Sequence, residues 1–252
     1  LWGLDQNSDK DIDAPEAWDI TTGSKDIIVG VIDTGVDYHH KDLNDNIWRN
    51  PGESGDGKEN NGIDDDGNGF KDDVYGWNFE RNSKDPDDAH GHGTHVAGTI
   101  GAVGNNSEGV VGVNWNVTIM ALRFIGANGY GNSDDAIKAI IYAADNGAKV
   151  LSNSWGGDGF QQTMLDAIKY ARDKGVIFVA AAGNDDRNND LYPHYPSNYA
   201  SENMLAIAAS DQADNLARFS NVGKKTVHLA APGVNVQSTW LNNSYQYLDG
   251  TS

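Results

Sequence analysis

Short runs of apolar residues, many of them β-branched, alternate along the chain with segments whose apolar residues recur at helical spacing. The clearest run is residues 27–32, Ile-Ile-Val-Gly-Val-Ile, which leads directly into Asp33. Further strands are predicted at residues 117–122, 148–153, 176–181, 205–209 and 226–230. Continuous apolar strands that alternate with helices are typical of a parallel sheet buried on both faces. We therefore predict an α/β protein with three layers, in which helices cover both faces of a mostly parallel central sheet.

Two helices between these strands can be delimited from their ends. Residues 133–146 begin with a serine suited to cap a helix, continue with two aspartates in the first turn and end before Gly147. Residues 160–174 carry apolar residues at helical spacing and stop before Gly175. Helices of this kind supply the outer layers of the predicted fold.

One long stretch, residues 44–90, departs from this alternation. It is polar, rich in glycine and aspartate, and shows almost no periodic apolar pattern. A loop of this length inside a compact domain is usually functional, or it is held by something other than a core. We therefore predict a single domain over residues 1–252 with an aspartate-rich insertion at about residues 44–90.

Composition and charge exclude several classes of protein. The chain has 252 residues, 38% of them hydrophobic, with 7 Trp, 10 Tyr and 6 Phe, so it is not a disordered acidic tail. Its 18 basic and 37 acidic residues give a net charge of −19, which argues against nucleic acid or an anionic membrane as partner. No apolar run approaches the roughly 18 residues of a membrane span. The absence of cysteine excludes disulfides, thiol catalysis and cysteine-bound metal.

The residues that follow the strands are the candidates for chemistry, because active sites of open parallel sheets lie at the carboxyl ends of the strands. Asp33 follows the first strand directly, and its carboxylate would be costly to bury there without a hydrogen bond or a charged partner. Asn184 follows a later strand, in Ala-Ala-Gly-Asn. Both can also be read as ordinary turn residues, and position alone leaves the two interpretations open.

Three histidines, His90, His92 and His95, stand close together in the sequence His-Gly-His-Gly-Thr-His. Their spacing differs from the His-Glu-x-x-His pattern of zinc hydrolases, but a metal-dependent hydrolase stays open as an alternative. The glycines and the following Val-Ala-Gly predict the start of a closely packed helix. A histidine at such a helix start can face both solvent and a buried acid, which suits a general base.

Five motifs occur in an order that is far more specific than any one of them. They are Val-Ile-Asp-Thr-Gly-Val-Asp at residues 31–37, His-Gly-Thr-His-Val-Ala-Gly at 92–98, Ser-Trp-Gly-Gly at 154–157, Ala-Ala-Gly-Asn at 181–184 and Gly-Thr-Ser at 250–252. With these motifs the chain closely resembles the subtilases, the family of subtilisin-like serine endopeptidases. The resemblance runs from about Trp2 to Ser252. It implies a subtilisin-like fold and the hydrolysis of peptide bonds in proteins.

The resemblance also implies a role for each matching residue. Ser252 is the expected nucleophile, and His92 is the expected base that takes the serine proton and passes it to the leaving amine. Asp33 is expected to orient the imidazole and to stabilise its charged form. Asn184 is expected to donate a side-chain N–H to the oxyanion, together with the backbone N–H of Ser252.

The substrate-binding residues follow from the same resemblance. Ser154, Trp155 and Gly156 are expected to form the edge with which an extended substrate pairs, and β-augmentation explains broad sequence tolerance. The pocket for the residue before the cut is expected to have these walls and floor: Ala181, Ala182, Gly183 and Leu191. We therefore expect a preference for apolar or medium-sized side chains at that position.

The insertion contains a dense acidic run, Asn-Gly-Ile-Asp-Asp-Asp-Gly-Asn-Gly-Phe-Lys-Asp-Asp at residues 61–73. Like charges at this density repel one another unless a hard cation neutralises them, and alternating Asp and Asn with glycine turns match calcium. The match to the EF-hand loop is partial, because no glutamate closes it. The expected ligands are Asp64, Asp66, Asn68, Asp72 and Asp73, and a solvated acidic loop is the alternative.

A second calcium site is implied by the resemblance alone. The segment Gly-Asn-Asn-Ser-Glu-Gly-Val at residues 104–110 resembles the calcium loop of the family. Its expected ligands are Asp42, Gly104, Asn106, Glu108 and Val110. The family adds an N-terminal side chain whose equivalent would precede Leu1, so this site is expected to lack one ligand or to replace it.

The family continues beyond its serine with a buried helix, whereas this sequence ends at Ser252 and begins Leu-Trp-Gly without a signal-like segment. We therefore expect a processed chain that lacks the C-terminal helical part of its catalytic domain. The resemblance implies a secreted, extracellular or cell-surface monomer that is stabilised by Ca²⁺ and acts on proteins or peptides. A propeptide or a protein inhibitor is a further expected partner. The alternative is an inactive or truncated subtilase-like domain that binds extended peptides.

Overall fold

A computed structural model describes all residues 1–252 and contains a central sheet of seven parallel strands. The strands lie in the spatial order β2-β3-β1-β4-β5-β6-β7, and every neighbouring pair is parallel. Their bounds are β1 Gly23–Asp33, β2 Gly76–Asn78, β3 Asn116–Arg123, β4 Val150–Asn153, β5 Ile177–Ala181, β6 Met204–Ser210 and β7 Leu229–Pro232. The predicted α/β class with a parallel sheet is therefore confirmed.

Four helices and a separate hairpin complete the fold. The helices are α1 Ala14–Trp18, α2 His92–Gly101, α3 Ser133–Asp145 and α4 Gln162–Asp173, with a short 3-10 turn at Asn44–Asn46. The hairpin pairs β8 Val236–Trp240 with β9 Ser244–Leu248 in antiparallel fashion. It packs against α2, and the sequence analysis did not foresee it. None of the helices is both long and apolar enough to cross a bilayer.

Successive side chains of β1 point to opposite faces of the sheet, and they separate two apolar cores. Ile28 and Ile32 belong to the larger core, which α3 and α4 cover. Val29 and Val31 belong to a smaller core on the other face, together with Val96 of α2. The three layers predicted from the sequence are formed in this way.

Two local predictions were wrong. The strand predicted at residues 226–230 begins only at Leu229, because Thr226 donates its N–H and its hydroxyl to Asp190 Oδ1, at 3.1 and 2.8 Å, and is held in a turn. Ser133 does not cap α3. It is the first helical residue, and the N-cap position is Asn132 in extended conformation.

The insertion at residues 44–90 is held in part by the core itself, although its sequence shows almost no periodic apolar pattern. Trp48, Trp77 and Phe79 are buried in the larger core, and strand β2 forms one edge of the sheet. Phe70 contacts Trp77 and Tyr142 edge to face, at ring-centroid distances of 5.0 and 4.9 Å. These aromatic residues are too irregularly spaced to produce a periodic pattern, yet they anchor the insertion to the sheet and to α3.

Candidate active site

The site is centred where strand β1 ends in the middle of the sheet, between β3 and β4. Asp33, the last residue of β1, is fully buried. Its Oδ1 accepts a hydrogen bond from the Thr34 N–H and contacts Nδ1 of His92, both at 2.7 Å. The two residues are 59 positions apart in the sequence, so the fold joins the end of a strand to the start of helix α2.

Helix α2 approaches β1 this closely because Gly93 has no side chain. A Cβ at Gly93 would lie 2.1 Å from the carbonyl oxygen of Gly35 and 3.0 Å from Cβ of Asp33. The Gly93 N–H instead donates to Thr34 Oγ1 at 2.9 Å. The first turn of α2 is thereby fixed against the end of β1, with His92 facing Asp33.

Asp88 holds the start of α2 from outside the helix. Its Oδ1 accepts from the N–H groups of His90 and Gly91 at 2.8 and 2.9 Å. Its Oδ2 accepts from the N–H and the hydroxyl of Thr94 at 3.0 and 2.7 Å. Four donors at the helix start are satisfied by one buried carboxylate. Asp88 was not among the residues predicted from the sequence, although an aspartate shortly before a predicted helix start is a known signal for capping.

The pKa of His92 reflects two opposing influences. Burial disfavours the imidazolium, but the Asp33 carboxylate and its hydrogen bond outweigh this, and with the charge of Asp88 they raise the pKa of His92 above its usual 6.5. The side chain of His92 remains 25% exposed, while that of Asp33 is only 1% exposed. The ring therefore joins a buried acid to an open cavity.

Asn184 and Ser252 line that cavity, which has a volume of about 410 Å³ and includes His92 in its wall. Asn184 Oδ1 accepts from the N–H and the hydroxyl of Thr251, both at 2.9 Å. These bonds use the amide oxygen of Asn184 and leave its amide nitrogen available as a donor in an exposed side chain. Ser252 Oγ lies 3.5 Å from the Ser154 carbonyl oxygen and bonds there rather than to His92.

The expected substrate edge lies directly after β4. Trp155 packs edge to face on Phe124 with ring centroids 5.0 Å apart, and Trp155 and Gly156 border a cavity of about 270 Å³. Among the expected pocket residues, Ala181, Ala182 and Gly183 are buried beside this edge.

Leu191, the remaining residue expected at the pocket, is 69% exposed. The residue that reaches Gly156 and Gly183 is His194, which the sequence analysis missed. No local pattern marks it, since it follows a proline in an irregular loop.

In the acidic run, the structure brings Asp64 and Asp66 together with Glu53, and their carboxylate oxygens lie within 4.8 Å of one another. Glu53 is fully buried and accepts the N–H groups of Asp65 and Asp72 at 2.6 and 3.2 Å. The sequence analysis missed Glu53, which precedes the acidic run. A set of three carboxylates without nitrogen or sulfur ligands fits a hard divalent cation such as calcium.

The remaining expected ligands of this run hold the loop together. Asn68 donates its amide to Asp66 and to Asp73, at 3.2 and 3.0 Å. Asp73 also accepts from the hydroxyl of Tyr142, which connects the loop to α3. Asp72 forms an ion pair with Lys84 at 3.0 Å, so its charge is already balanced.

The second expected calcium loop is assembled around Asp42, which is fully buried. Asp42 Oδ1 accepts from the Asn106 amide at 2.7 Å, and Oδ2 accepts from the Val110 N–H at 2.9 Å. The Glu108 N–H donates to Asn106 Oδ1 at 3.0 Å. A Cβ at Gly104 would lie 2.2 Å from the Trp115 ring, so this glycine is required by packing. Both oxygens of Asp42 therefore have partners within the chain.

Comparison with known proteins places these features in a family. Residues 24–252 match the Subtilase family. The chain is 42% identical over 236 residues to a thermophilic serine proteinase of Bacillus sp. (strain AK1), covering 94% of this chain and 51% of that protein. It is 38% identical over 241 residues to thermitase of Thermoactinomyces vulgaris, covering 96% of this chain and 75% of that protein.

A solved structure supports the same assignment. The crystal structure of a cold adapted subtilisin-like serine proteinase superimposes with a TM-score of 0.71 at 26% identity, covering 100% of this chain and 79% of that one. Fold and relatives together define the class of subtilisin-like serine endopeptidases. The chain belongs to the subtilase family. It spans about half the length of the Bacillus relative.

Proposed function

We propose that this chain is the catalytic domain of a serine endopeptidase that cleaves peptide bonds in proteins with Asp33, His92, Ser252 and Asn184. The observation that carries the proposal is the 2.7 Å contact between the buried Asp33 and His92, whose ring opens on the cavity that Asn184 and Ser252 line. An acid, an imidazole, a hydroxyl and an amide donor at one cavity are the groups that acyl transfer requires.

In this mechanism, His92 accepts the Ser252 hydroxyl proton as the oxygen attacks the substrate carbonyl carbon. Asp33 keeps Nδ1 of His92 protonated, so that Nε2 is the basic atom, and it stabilises the imidazolium that forms. The Asn184 amide donates to the oxyanion of the tetrahedral intermediate. His92 then gives the proton to the leaving amine, and a water molecule repeats the sequence to release the acid.

The substrate is proposed to be an extended peptide segment of a protein, paired with the edge formed by Ser154, Trp155 and Gly156. A propeptide or protein inhibitor would use the same edge. We propose a secreted monomer, and the net charge of −19 supports this because it opposes association between copies.

Covalent labelling tests the proposal directly. A fluorophosphonate reacts with a serine that an adjacent base activates, so intact mass spectrometry should show one adduct, and peptide mapping should place it on Ser252. Ser252→Ala and His92→Ala should lose the adduct, while Ser24→Ala, an exposed serine at the opposite end of β1 from Asp33, should keep it. An adduct that persists in Ser252→Ala would contradict the proposed nucleophile.

Peptide binding without turnover is the second candidate, and the bond from Ser252 to Ser154 instead of His92 favours it. This candidate predicts that the wild-type chain forms no adduct with the fluorophosphonate, and that Ser252→Ala binds extended peptides as tightly as wild type does. A hydrolase with a metal at the three histidines has less support. His92 is committed to Asp33, and His95 Nε2 lies 3.1 Å from the Val236 carbonyl and 3.2 Å from that of Gln246.

We further propose that Glu53, Asp64 and Asp66 hold a calcium ion that stabilises the insertion. Their oxygens lie within 4.8 Å of one another, and Asn68 and Asp73 brace the loop around them. A calcium ion at the Asp42 loop stays a weaker proposal, because the Asn106 amide and the Val110 N–H already satisfy that carboxylate.

A further inference from the structure

The imidazole of His194 occupies the cleft between the expected substrate edge and the segment that leads to Asn184. A Cβ at Gly156 would lie 2.1 Å from Cε1 and 2.3 Å from Nε2 of His194. A Cβ at Gly183 would lie 3.1 Å from Cδ2 of the same ring. The ring is therefore in direct contact with a glycine on each side of the cleft.

The backbone on either side of His194 is fixed by hydrogen bonds. The N–H of Gly157 donates to the Tyr195 carbonyl at 2.9 Å, and the Tyr195 N–H donates back at 3.0 Å. The His194 N–H donates to Asn198 Oδ1 at 3.1 Å. This antiparallel bridge sets the register that brings His194 opposite Gly156.

Hydrogen bonding also determines which ring nitrogen faces the cleft. The hydroxyl of Ser197, a buried residue, donates its one hydrogen to the His194 carbonyl at 2.9 Å. The same oxygen lies 3.0 Å from His194 Nδ1, and with its hydrogen directed to the carbonyl it can only accept there, which favours the tautomer with a hydrogen on Nδ1. Nε2 is then the nitrogen that meets a ligand.

The ring is neutral near pH 7. Burial lowers the pKa of His194, Arg187 acts in the same direction, and the carboxylates of Asp185 and Asp158 offset part of the effect. A neutral ring with a hydrogen on Nδ1 presents a lone pair on Nε2. It therefore accepts a hydrogen bond from a group in the cleft.

The cleft lies where the side chain before the cut would enter. Ser252 Oγ is 3.5 Å from the Ser154 carbonyl, and Asn184 follows Gly183 directly. A peptide paired with residues 154–156, with its carbonyl at Asn184 and Ser252, would direct the side chain of that residue toward Gly156 and Gly183, which the His194 ring contacts. The first group it meets there is His194.

We propose that His194 is the residue that selects the side chain before the cleaved bond. It narrows the pocket and offers a hydrogen-bond acceptor, so the pocket takes side chains that carry a hydrogen-bond donor and no ring, such as Asn, Gln or Ser, in preference to Phe. The inference rests on the proposed function and replaces the apolar preference expected from the sequence.

The test compares tetrapeptide p-nitroanilides that are identical except for the last residue, Gln or Phe. Wild type should show a higher kcat/KM for Gln. His194→Ala should shift the Gln-to-Phe ratio toward Phe by about 10- to 100-fold, because it opens space and removes the acceptor. His194→Gln, which retains a side-chain acceptor, should keep more of the polar preference. Tyr192→Ala, a neighbouring residue that is 66% exposed, is the matched control and should leave the ratio unchanged.

Peptide affinities, measured without turnover, test the role of His194 separately from the proposed peptidase activity. The matching tetrapeptide amides are titrated into Ser252→Ala with and without His194→Ala, so selectivity is measured without turnover. A Gln-to-Phe affinity ratio that shifts toward Phe supports the role of His194 even if wild type hydrolyses no nitroanilide. Unchanged ratios in both assays, or the same shift in Tyr192→Ala, would overturn it.

Discussion

At the scale of single residues, the site depends on how one buried carboxylate interacts with one imidazole. Asp33 has no access to solvent, and its charge is compensated by the Thr34 N–H and by His92. A buried carboxylate is unfavourable without a positive partner, so Asp33 favours the protonated form of His92. A base whose pKa lies near the working pH is the kind that proton transfer requires.

The raised pKa of His92 predicts the acid limb of the pH profile. As the proposed general base, His92 would act only when neutral, so kcat/KM should rise with pH through a midpoint above the usual 6.5. Asp33→Asn should lower that midpoint and reduce kcat by roughly 10³- to 10⁴-fold, since it removes both the charge and the correct tautomer. His39→Ala, an exposed histidine outside the cavity, should leave the profile in place. An unchanged midpoint in Asp33→Asn would contradict this account.

The same shift has a consequence for stability, with a defined sign. A histidine whose folded-state pKa is raised stabilises the fold fully below its unfolded value of about 6.5. This contribution is lost as the pH rises through the folded-state pKa. The pair of Asp33 and His92 therefore favours folding most in mildly acid solution, where the proposed mechanism predicts the lowest activity.

At the scale of elements, the position of helix α2 decides where His92 points. The lack of a side chain at Gly93 lets the helix approach β1 closely. Asp88 accepts hydrogen bonds from backbone N–H groups at the start of the helix. Periodicity predicted the element, but its placement depends on a carboxylate outside the helix. The hairpin of β8 and β9 covers α2 from the other side, and Thr239 donates its hydroxyl to the Thr94 carbonyl at 2.7 Å.

Asp88→Asn should therefore affect both stability and chemistry. Loss of charge-assisted bonds at the helix start is expected to cost about 1–2 kcal/mol. This corresponds to a melting temperature lower by about 2–8 °C, measured by differential scanning calorimetry. The midpoint of the acid limb should also fall, because the charge of Asp88 helps to raise the pKa of His92.

The matched control is Asp134→Asn, which changes an exposed aspartate in the first turn of α3. It should alter the melting temperature only slightly and leave the pH profile unchanged. If Asp134→Asn and Asp88→Asn lowered both quantities equally, the role assigned to Asp88 would be refuted.

At the scale of the whole molecule, the dominant feature is a net charge of −19. The acidic insertion concentrates this charge, and its aromatic side chains attach it to the core. Self-repulsion of this size destabilises the compact state unless salt screens it or cations bind. A bound divalent ion would offset the repulsion at the place where it is greatest.

Chelation tests this proposal in the Ser252→Ala background, which excludes self-digestion. Removing calcium should lower the melting temperature, and restoring calcium to about 100 times its Kd should return about 2.7 kcal/mol of stability. Glu53→Gln should weaken this calcium dependence, whereas Glu16→Gln, an exposed glutamate in α1, should not. Equal recovery with sodium chloride at the same ionic strength would attribute the effect to screening alone.

The parts of the site that follow from sequence are those with local signals. The ordered motifs pointed to Asp33, His92, Asn184 and Ser252. The proximity of Asp33 and Asn184 follows from the rule that the carboxyl ends of parallel strands meet at one edge, whereas His92 begins a helix and Ser252 follows the hairpin. The acidic run located Asp64 and Asp66, because carboxylates at that density repel one another and favour a hard cation between them. Leu191 was assigned by resemblance alone, and the structure places it on the surface.

The sequence by itself determined the α/β class, the parallel sheet and the motifs, because periodicity and composition are properties of short segments. Only the tertiary structure decided which distant side chains meet. It brought Glu53 to the acidic run, Asp88 to the start of α2, His194 to Gly156 and the irregularly spaced aromatic residues of the insertion to the core. These contacts join segments whose separation leaves no periodic trace in the chain, and they depend on how the loops close on the sheet.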